Sequence, residues 1–154
     1  MKHDKLKVGI IGCGGIANQK HLPSLKALSD KVDMVAFCDI VEERAKKSAK
    51  EYGTSDAKVY TDYKELLADP KIDVVHVLTP NVSHCPITVD AFEAGKHVMC
   101  EKPMAATTED AQKMMDAWKK SGKKFTIGYQ NRFRSEVQSL HKTCTDGELG
   151  EIYY

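Results

Sequence analysis

The stretch Leu6-Lys7-Val8-Gly9-Ile10-Ile11-Gly12-Cys13-Gly14-Gly15-Ile16-Ala17 decides the fold. Its first six residues form an apolar run broken only by Lys7 and Gly9 and rich in β-branched side chains, the composition of a buried strand. The run stops at a glycine cluster, and a helical pattern follows. Strand, Gly-x-Gly-x-x-Ala turn and helix in that order open a dinucleotide-binding βα unit. Gly12 allows the tight bend, Gly14 lets the backbone approach a pyrophosphate, and Ala17 permits close packing of helix on strand. The helix N-terminus adds free amide hydrogens and a partial positive charge for the phosphates.

A second anchor lies 22 residues past Ala17, where Asp39 closes the apolar run Val32 to Cys38. A carboxylate at that point accepts both ribose hydroxyls of an adenosine half. The same charge repels a 2′-phosphate, so the pair predicts NAD. NADP remains the weaker alternative because Arg44 stands one turn into the next helix.

Outward from this unit, strand-length apolar runs alternate with helical periods almost to the end, which predicts an α/β fold on a parallel sheet. The first helix is expected to be interrupted and to restart at Pro23, since proline suits a first turn and disrupts an interior. Ala45, Ser48, Ala49 and Tyr52 give a second helix a small face for the sheet, and Gly53 ends it. A short strand at Lys58 to Tyr60 precedes a third helix with Asp62 and Glu65 as its N-cap signal. Val74 to Leu78 is the fourth strand. A helix from about Ser83 to Ala94, capped by Asn81 or Ser83 and closed by Gly95, leads to the fifth, His97 to Cys100. Thr107 and Asp110 cap a helix with Ala111, Met114, Met115 and Trp118 inward. Phe125 to Tyr129 is the sixth strand, and a final helix carries Val137, Leu140, His141 and Cys144 on one face. A further strand is expected to begin in Gly147 to Tyr154.

The bulk properties agree. A chain of 154 residues with 42% hydrophobic side chains can bury a full core without disulfides or metal. Net charge is +1, with no long basic block, which argues against nucleic acid and anionic membranes. No apolar stretch approaches a membrane span, and Met1 to Lys7 is polar rather than signal-like, so a cytoplasmic protein is expected. The five cysteines are widely spaced without a CxxC pair and are read as buried free thiols. His84, Cys85, His97 and Cys100 lack zinc-ligand spacing, so no metal is expected. His76 falls mid-strand, as a core or sheet-edge histidine, and His21 belongs to no pattern.

Two further constellations sit at strand ends, where a doubly wound sheet binds its ligand. Thr79-Pro80-Asn81-Val82-Ser83-His84 follows the fourth strand, and Asn81 there can bond the nicotinamide ribose or cap the next helix. Glu101-Lys102-Pro103 follows the fifth. An isolated lysine is usually a solvated cation, but at this edge Lys102 can hold a substrate hydroxyl and pass a proton. The Lys102–Pro103 bond is a candidate for the cis form.

Taken in order, VGIIGCGGIA at Val8 to Ala17, FCDI at Phe37 to Ile40, DVVHVLTPNVSH at Asp73 to His84, AGKHVMCEKPMA at Ala94 to Ala105, GYQNRF at Gly128 to Phe133 and GELGEI at Gly147 to Ile152 resemble the Gfo/Idh/MocA oxidoreductases over essentially the whole chain. The resemblance implies a Rossmann fold, a three-layer doubly wound parallel sheet of six main strands. It also implies NAD(P)-dependent hydride transfer at a sugar, inositol or related polyol. Amides of Gly14, Gly15 and Ile16 would hold pyrophosphate, and Asp39 the adenine ribose. Thr79, Pro80, Asn81 and His84 would serve the nicotinamide side, and Glu101 its ribose. Lys102 would be the catalytic lysine, with Gln130 to Arg132 near nicotinamide or substrate. Family members continue into an α+β domain that closes the substrate site, supplies an acid/base pair and mediates homo-oligomers. Residues 1–130 are therefore expected to be the cofactor domain and 131–154 the crossover helix and entry to a second domain that is missing, leaving these residues alone inactive. An NAD-dependent glycoside hydrolase of the same fold and a non-catalytic dinucleotide sensor are the alternatives; a sensor has no need for Lys102.

Overall fold

The structure is a computed structural model and describes residues 5–153. The start of the polar N-terminal stretch, 1–4, and residue 154 lie outside the described residues. Six parallel strands, β1 (Leu6–Ile11), β2 (Val32–Cys38), β3 (Lys58–Tyr60), β4 (Val74–Val77), β5 (His97–Cys100) and β6 (Phe125–Ile127), lie in the order β3-β2-β1-β4-β5-β6. The chain starts at the middle of the sheet, winds outward to β3, then returns beside β1 and winds the other way. The reversal between β1 and β4 opens a crevice at the carboxyl ends of these strands.

Period-two alternation along the strands makes two cores. Val8 and Ile10 of β1 and Phe37 of β2 face one side with Leu22, Leu25 and Ala45. These come from α1 (Leu22–Ala27) and α2 (Glu42–Tyr52). Ile11, Ala36 and Cys38 face the other side with Leu66, Ile87, Phe92 and Met114. They meet α3 (Tyr63–Leu67), α4 (His84–Glu93) and α5 (Thr108–Ser121) there. The result is the expected three-layer α/β fold. In the α5 stripe Met114 is fully buried, while Ala111, Met115 and Trp118 are half-buried.

Caps at two helices follow the sequence. Asp62 Oδ1 accepts from the Lys64 amide at 2.8 Å, and Thr107 Oγ1 accepts from the Asp110 amide at 3.2 Å. Several local expectations are corrected. The first helix is not interrupted before Pro23: it runs through a π-helical turn, Ala17–His21, directly into α1, with the Leu22 amide bonded back to the Ala17 carbonyl. Proline lacks an amide hydrogen and crowds the carbonyl four residues back, and the wider turn takes up both. Gly53 does end α2, but in extended backbone; space is the reason for glycine, since a Cβ would stand 2.7 Å from the Ala49 carbonyl oxygen and from Ala57 Cβ. Neither Asn81 nor Ser83 caps α4 through its side chain. A 3₁₀ turn, Asn81–Ser83, precedes the helix, and Ser83 Oγ points back to the Pro80 carbonyl at 2.7 Å and Thr79 Oγ1 at 2.9 Å.

After β6 comes a 3₁₀ turn, Gln130–Phe133, and then α6 (Ser135–Thr145), none of whose residues is fully buried. Beyond it 146–149 form a turn, and no strand forms among the described residues of the Gly147 stretch. A strand needs a partner ladder, and none is at hand there. All five cysteines are free, four of them buried.

Candidate functional site

Three adjoining cavities make a trough along the carboxyl ends of the strands. The largest, about 600 Å³, runs from Asp39, Ile40 and Arg44 past Gly12, Gly14, Gly15 and Ile16 to Leu78, Thr79 and Pro80. Ile16 also borders a second cavity of about 240 Å³ with Lys20, His21, Ser24, Met99 and Glu101. Gly128 and Gln130 join that to a third of about 350 Å³, lined by Lys102 and by Tyr129 to Arg132.

The glycine turn shapes the first cavity. Gly12 has φ +95°, and a Cβ on it would lie 2.7 Å from the Leu78 carbonyl oxygen, so the close approach of β1 to β4 at the switch point requires glycine. A Cβ on Gly14 would meet nothing within 4 Å: it would project into open space over the turn. That bare backbone beside a helix N-terminus fits a pyrophosphate. Ala17 is fully buried, as close helix–strand packing demands.

Asp39 is 8% exposed, and its carboxylate clamps the turn. Oδ2 accepts from the Cys13 amide and Oδ1 from the Val41 amide, each at 2.9 Å. Each oxygen keeps a lone pair for a ribose hydroxyl. Arg44 is exposed at the rim of the same cavity. Burial pushes the Cys13 and Cys38 thiols up to about 12, so both are inert packing groups.

At the second cavity the structure joins residues that are far apart in sequence. Glu101, also 8% exposed, accepts from His21 Nε2 at 2.7 Å on Oε1 and from the Lys102 amide at 2.9 Å on Oε2. Behind His21 stands His76 of β4, ring centroids 5.7 Å apart and edge to face. Burial pushes His76 down to about 4, so its ring is neutral, and its Nδ1 has no hydrogen-bond partner among the described residues. Lys102 follows Glu101 on an exposed loop with a cis Lys102–Pro103 bond.

The expectation for His84 is corrected. Its ring is completely buried, with Nδ1 2.8 Å from the Pro103 carbonyl oxygen and Nε2 2.9 Å from that of Thr79. It ties the loops after β4 and β5 together from behind and presents no surface to a ligand. Thr79, Pro80, Val82 and Ser83 line the trough, whereas Asn81, exposed on the 3₁₀ turn between them, does not. His97 is bonded through Nδ1 to the Lys124 amide at 2.8 Å, and the described residues hold no group of three His, Cys, Asp or Glu able to bind a metal.

Residues 6–129 match the model of an oxidoreductase family with an NAD-binding Rossmann fold. The chain belongs to the Gfo/Idh/MocA family. It is 40% identical over 153 residues to the D-glucoside 3-dehydrogenase of Escherichia coli, covering 99% of this chain and 43% of that protein. Against the inositol 2-dehydrogenase of Salmonella typhimurium it is 37% identical over 147 residues, covering 95% and 43%. Among solved structures, the WlbA dehydrogenase of Bordetella pertussis in complex with NADH and UDP-GlcNAcA superposes with a TM-score of 0.90 at 28% identity, covering 97% of this chain and 45% of that one. The chain thus spans less than half the length of these relatives. It is the NAD-binding domain of a Gfo/Idh/MocA oxidoreductase, and no helix among its described residues is long and apolar enough to cross a membrane.

Among the residues lining the second cavity that the sequence reading passed over, such as Lys20, Ser24 and Met99, His21 is the one bonded to a candidate site residue. It lies 80 positions from Glu101, and only the fold brings the pair together. The lone available signal was the position of His21 one turn beyond Ala17, on the helix that the glycine turn opens.

Proposed function

We propose that the trough binds NAD in one direction, adenosine at the Asp39 end and nicotinamide toward Glu101 and Lys102, and that the whole enzyme oxidises a sugar, inositol or related polyol. The observation that carries this reading is that the three cavities adjoin, the first and second sharing Ile16 and the second and third sharing Gly128 and Gln130, with the bare Gly14 backbone in the wall of the first. Asp39 takes the adenine ribose hydroxyls. Amides of Gly14, Gly15 and Ile16 take the pyrophosphate. Thr79 and Pro80 form the far wall, and Glu101 faces the nicotinamide ribose.

Bound NAD supplies the hydride acceptor. In its neutral amine form Lys102 Nζ would accept the hydroxyl proton of the carbon being oxidised, becoming ammonium as that carbon gives up its hydride and the carbonyl forms; in reverse the ammonium would return that proton. Gln130 and Arg132, lining the cavity of Lys102, orient the substrate. A free lysine at this end favours an oxidoreductase over a dinucleotide sensor. We place the domain boundary after residue 130: past it, Phe133, Val137 and Leu140 are all exposed, as befits a passage toward a substrate domain rather than part of the sheet's own core.

Calorimetry of the chain with NAD and NADP tests the cofactor half of the reading. Micromolar to sub-millimolar binding of NAD with weaker NADP is expected; no binding of either overturns it, and a preference for NADP overturns the role of Asp39.

A further inference from the structure

The second cavity holds an ionisable pair for which the proposed reaction has no proton-transfer use. His21 and Glu101 are both nearly buried, with side-chain exposures of 12% and 11%, and they form the wall between the glycine-turn helix and the loop of Lys102. The charged and titratable groups facing His21 are few. Glu101 comes from the end of β5 and His76 from β4, the latter held neutral. Lys20 shares the π-helical turn and lines the same cavity, and Lys102 and Arg132 stand across Gly128 and Gln130 in the next. Histidine is the side chain whose charge ordinarily changes between pH 5 and 8.

We propose that His21 makes this site discriminate between the two redox forms of the nicotinamide according to pH. The inference rests on the placement of nicotinamide under Proposed function. The oxidised ring carries a positive charge and the reduced ring none. An imidazolium at the cavity wall therefore disfavours the charged ring of NAD⁺ relative to that of NADH, while a neutral His21 removes that opposing charge and lets Glu101 attract the oxidised ring more strongly. Protonation favours the reduced cofactor, and deprotonation favours the oxidised one. By linkage, NAD⁺ binding expels a proton from His21 and NADH binding does not.

The experiment uses the chain itself and no turnover. Dissociation constants for NAD⁺ and NADH are measured by calorimetry and by nicotinamide fluorescence between about pH 6 and about pH 8.5. The ratio Kd(NAD⁺)/Kd(NADH) is expected to fall about threefold or more as pH rises, the linkage equivalent of about half a pKa unit. His21→Gln keeps a donor for Glu101 but no titratable charge, and its ratio is expected to stay flat. In the unsubstituted chain, the His21 Cε1–H resonance followed by NMR should titrate at lower pH with NAD⁺ bound than with NADH bound. This readout decides the matter even if the variant fails to fold. Binding of both forms with a flat ratio, or a pH-dependent ratio that survives His21→Gln, overturns the proposal and leaves the cofactor assignment intact. Failure to bind either form removes that assignment, and this inference with it.

Discussion

Asp39 and Lys102 stand at opposite ends of one row of strand termini, and they differ in what holds them. Both oxygens of Asp39 are tied to backbone amides, and the glycine turn it clamps sits over a fully buried layer of Val8, Ile10 and Phe37. Lys102 has its amide held by Glu101, while the residue is exposed and lines its cavity with Arg132, which is exposed as well. On the reading proposed above, the Asp39 end would recognise the constant adenosine half of the cofactor through groups built into main chain and folding core. The Lys102 end would meet the reacting substrate through exposed side chains. Stability and binding should therefore be inseparable at the first end and separable at the second.

Gly12→Val is the severest way to break that contrast. It combines a β-branched residue at φ +95° with a Cβ 2.7 Å from the Leu78 carbonyl, a clash against backbone that cannot swing aside. The expected loss is about 3 kcal/mol or more in urea denaturation, together with loss of NAD binding. A variant with native stability would mean that the β1–β4 approach is looser than the geometry says.

Asp39→Ala comes next. It removes acceptors from two amides, one of them at the buried Cys13, at a cost of about 2–4 kcal/mol in stability. NAD affinity should fall at least about tenfold in calorimetry at a temperature where the variant is still folded. If binding falls while stability is unchanged, the carboxylate serves the ligand only and the coupling of fold to recognition at this end is wrong.

The same contrast explains what could be read in advance. The Gly12 to Ala17 turn, Asp39 and the Glu101-Lys102-Pro103 loop are legible because each lies within a few residues of a strand end, and strand ends are marked by local composition. The alternating core of β1 follows from the two-residue period, whereas in β2 a register shift against β1 puts Met34 and Phe37, three apart, into the same core, which the period does not give. Features made by chain crossings are not legible in this way. His21 gains its meaning from Glu101, and nothing local marks the pairing. His84 sits in a readable motif, but which way its ring points depends on the Pro103 carbonyl, reached through a different loop. The π-helical turn before Pro23 is a compromise between a proline and a helix that packing keeps continuous, and a rule about proline alone gives an interruption instead.

The smallest expected effect tests the far side of the contrast, where the chain leaves the sheet. Leu140 is 59% exposed on α6, and Val137 beside it is 40% exposed, so their apolar surface already faces water in this domain. Little burial is lost on shortening Leu140 to Ser: the change should lie within about 0.5 kcal/mol in urea denaturation, with NAD affinity unchanged. A buried leucine in the same fold, such as the fully buried Leu66, would cost about 2–5 kcal/mol on truncation to Ala. The pair of values measures where the cooperative unit ends. A cost for Leu140 approaching that of Leu66 would show α6 folded onto the sheet domain, and would move the boundary placed after residue 130 to the far end of that helix.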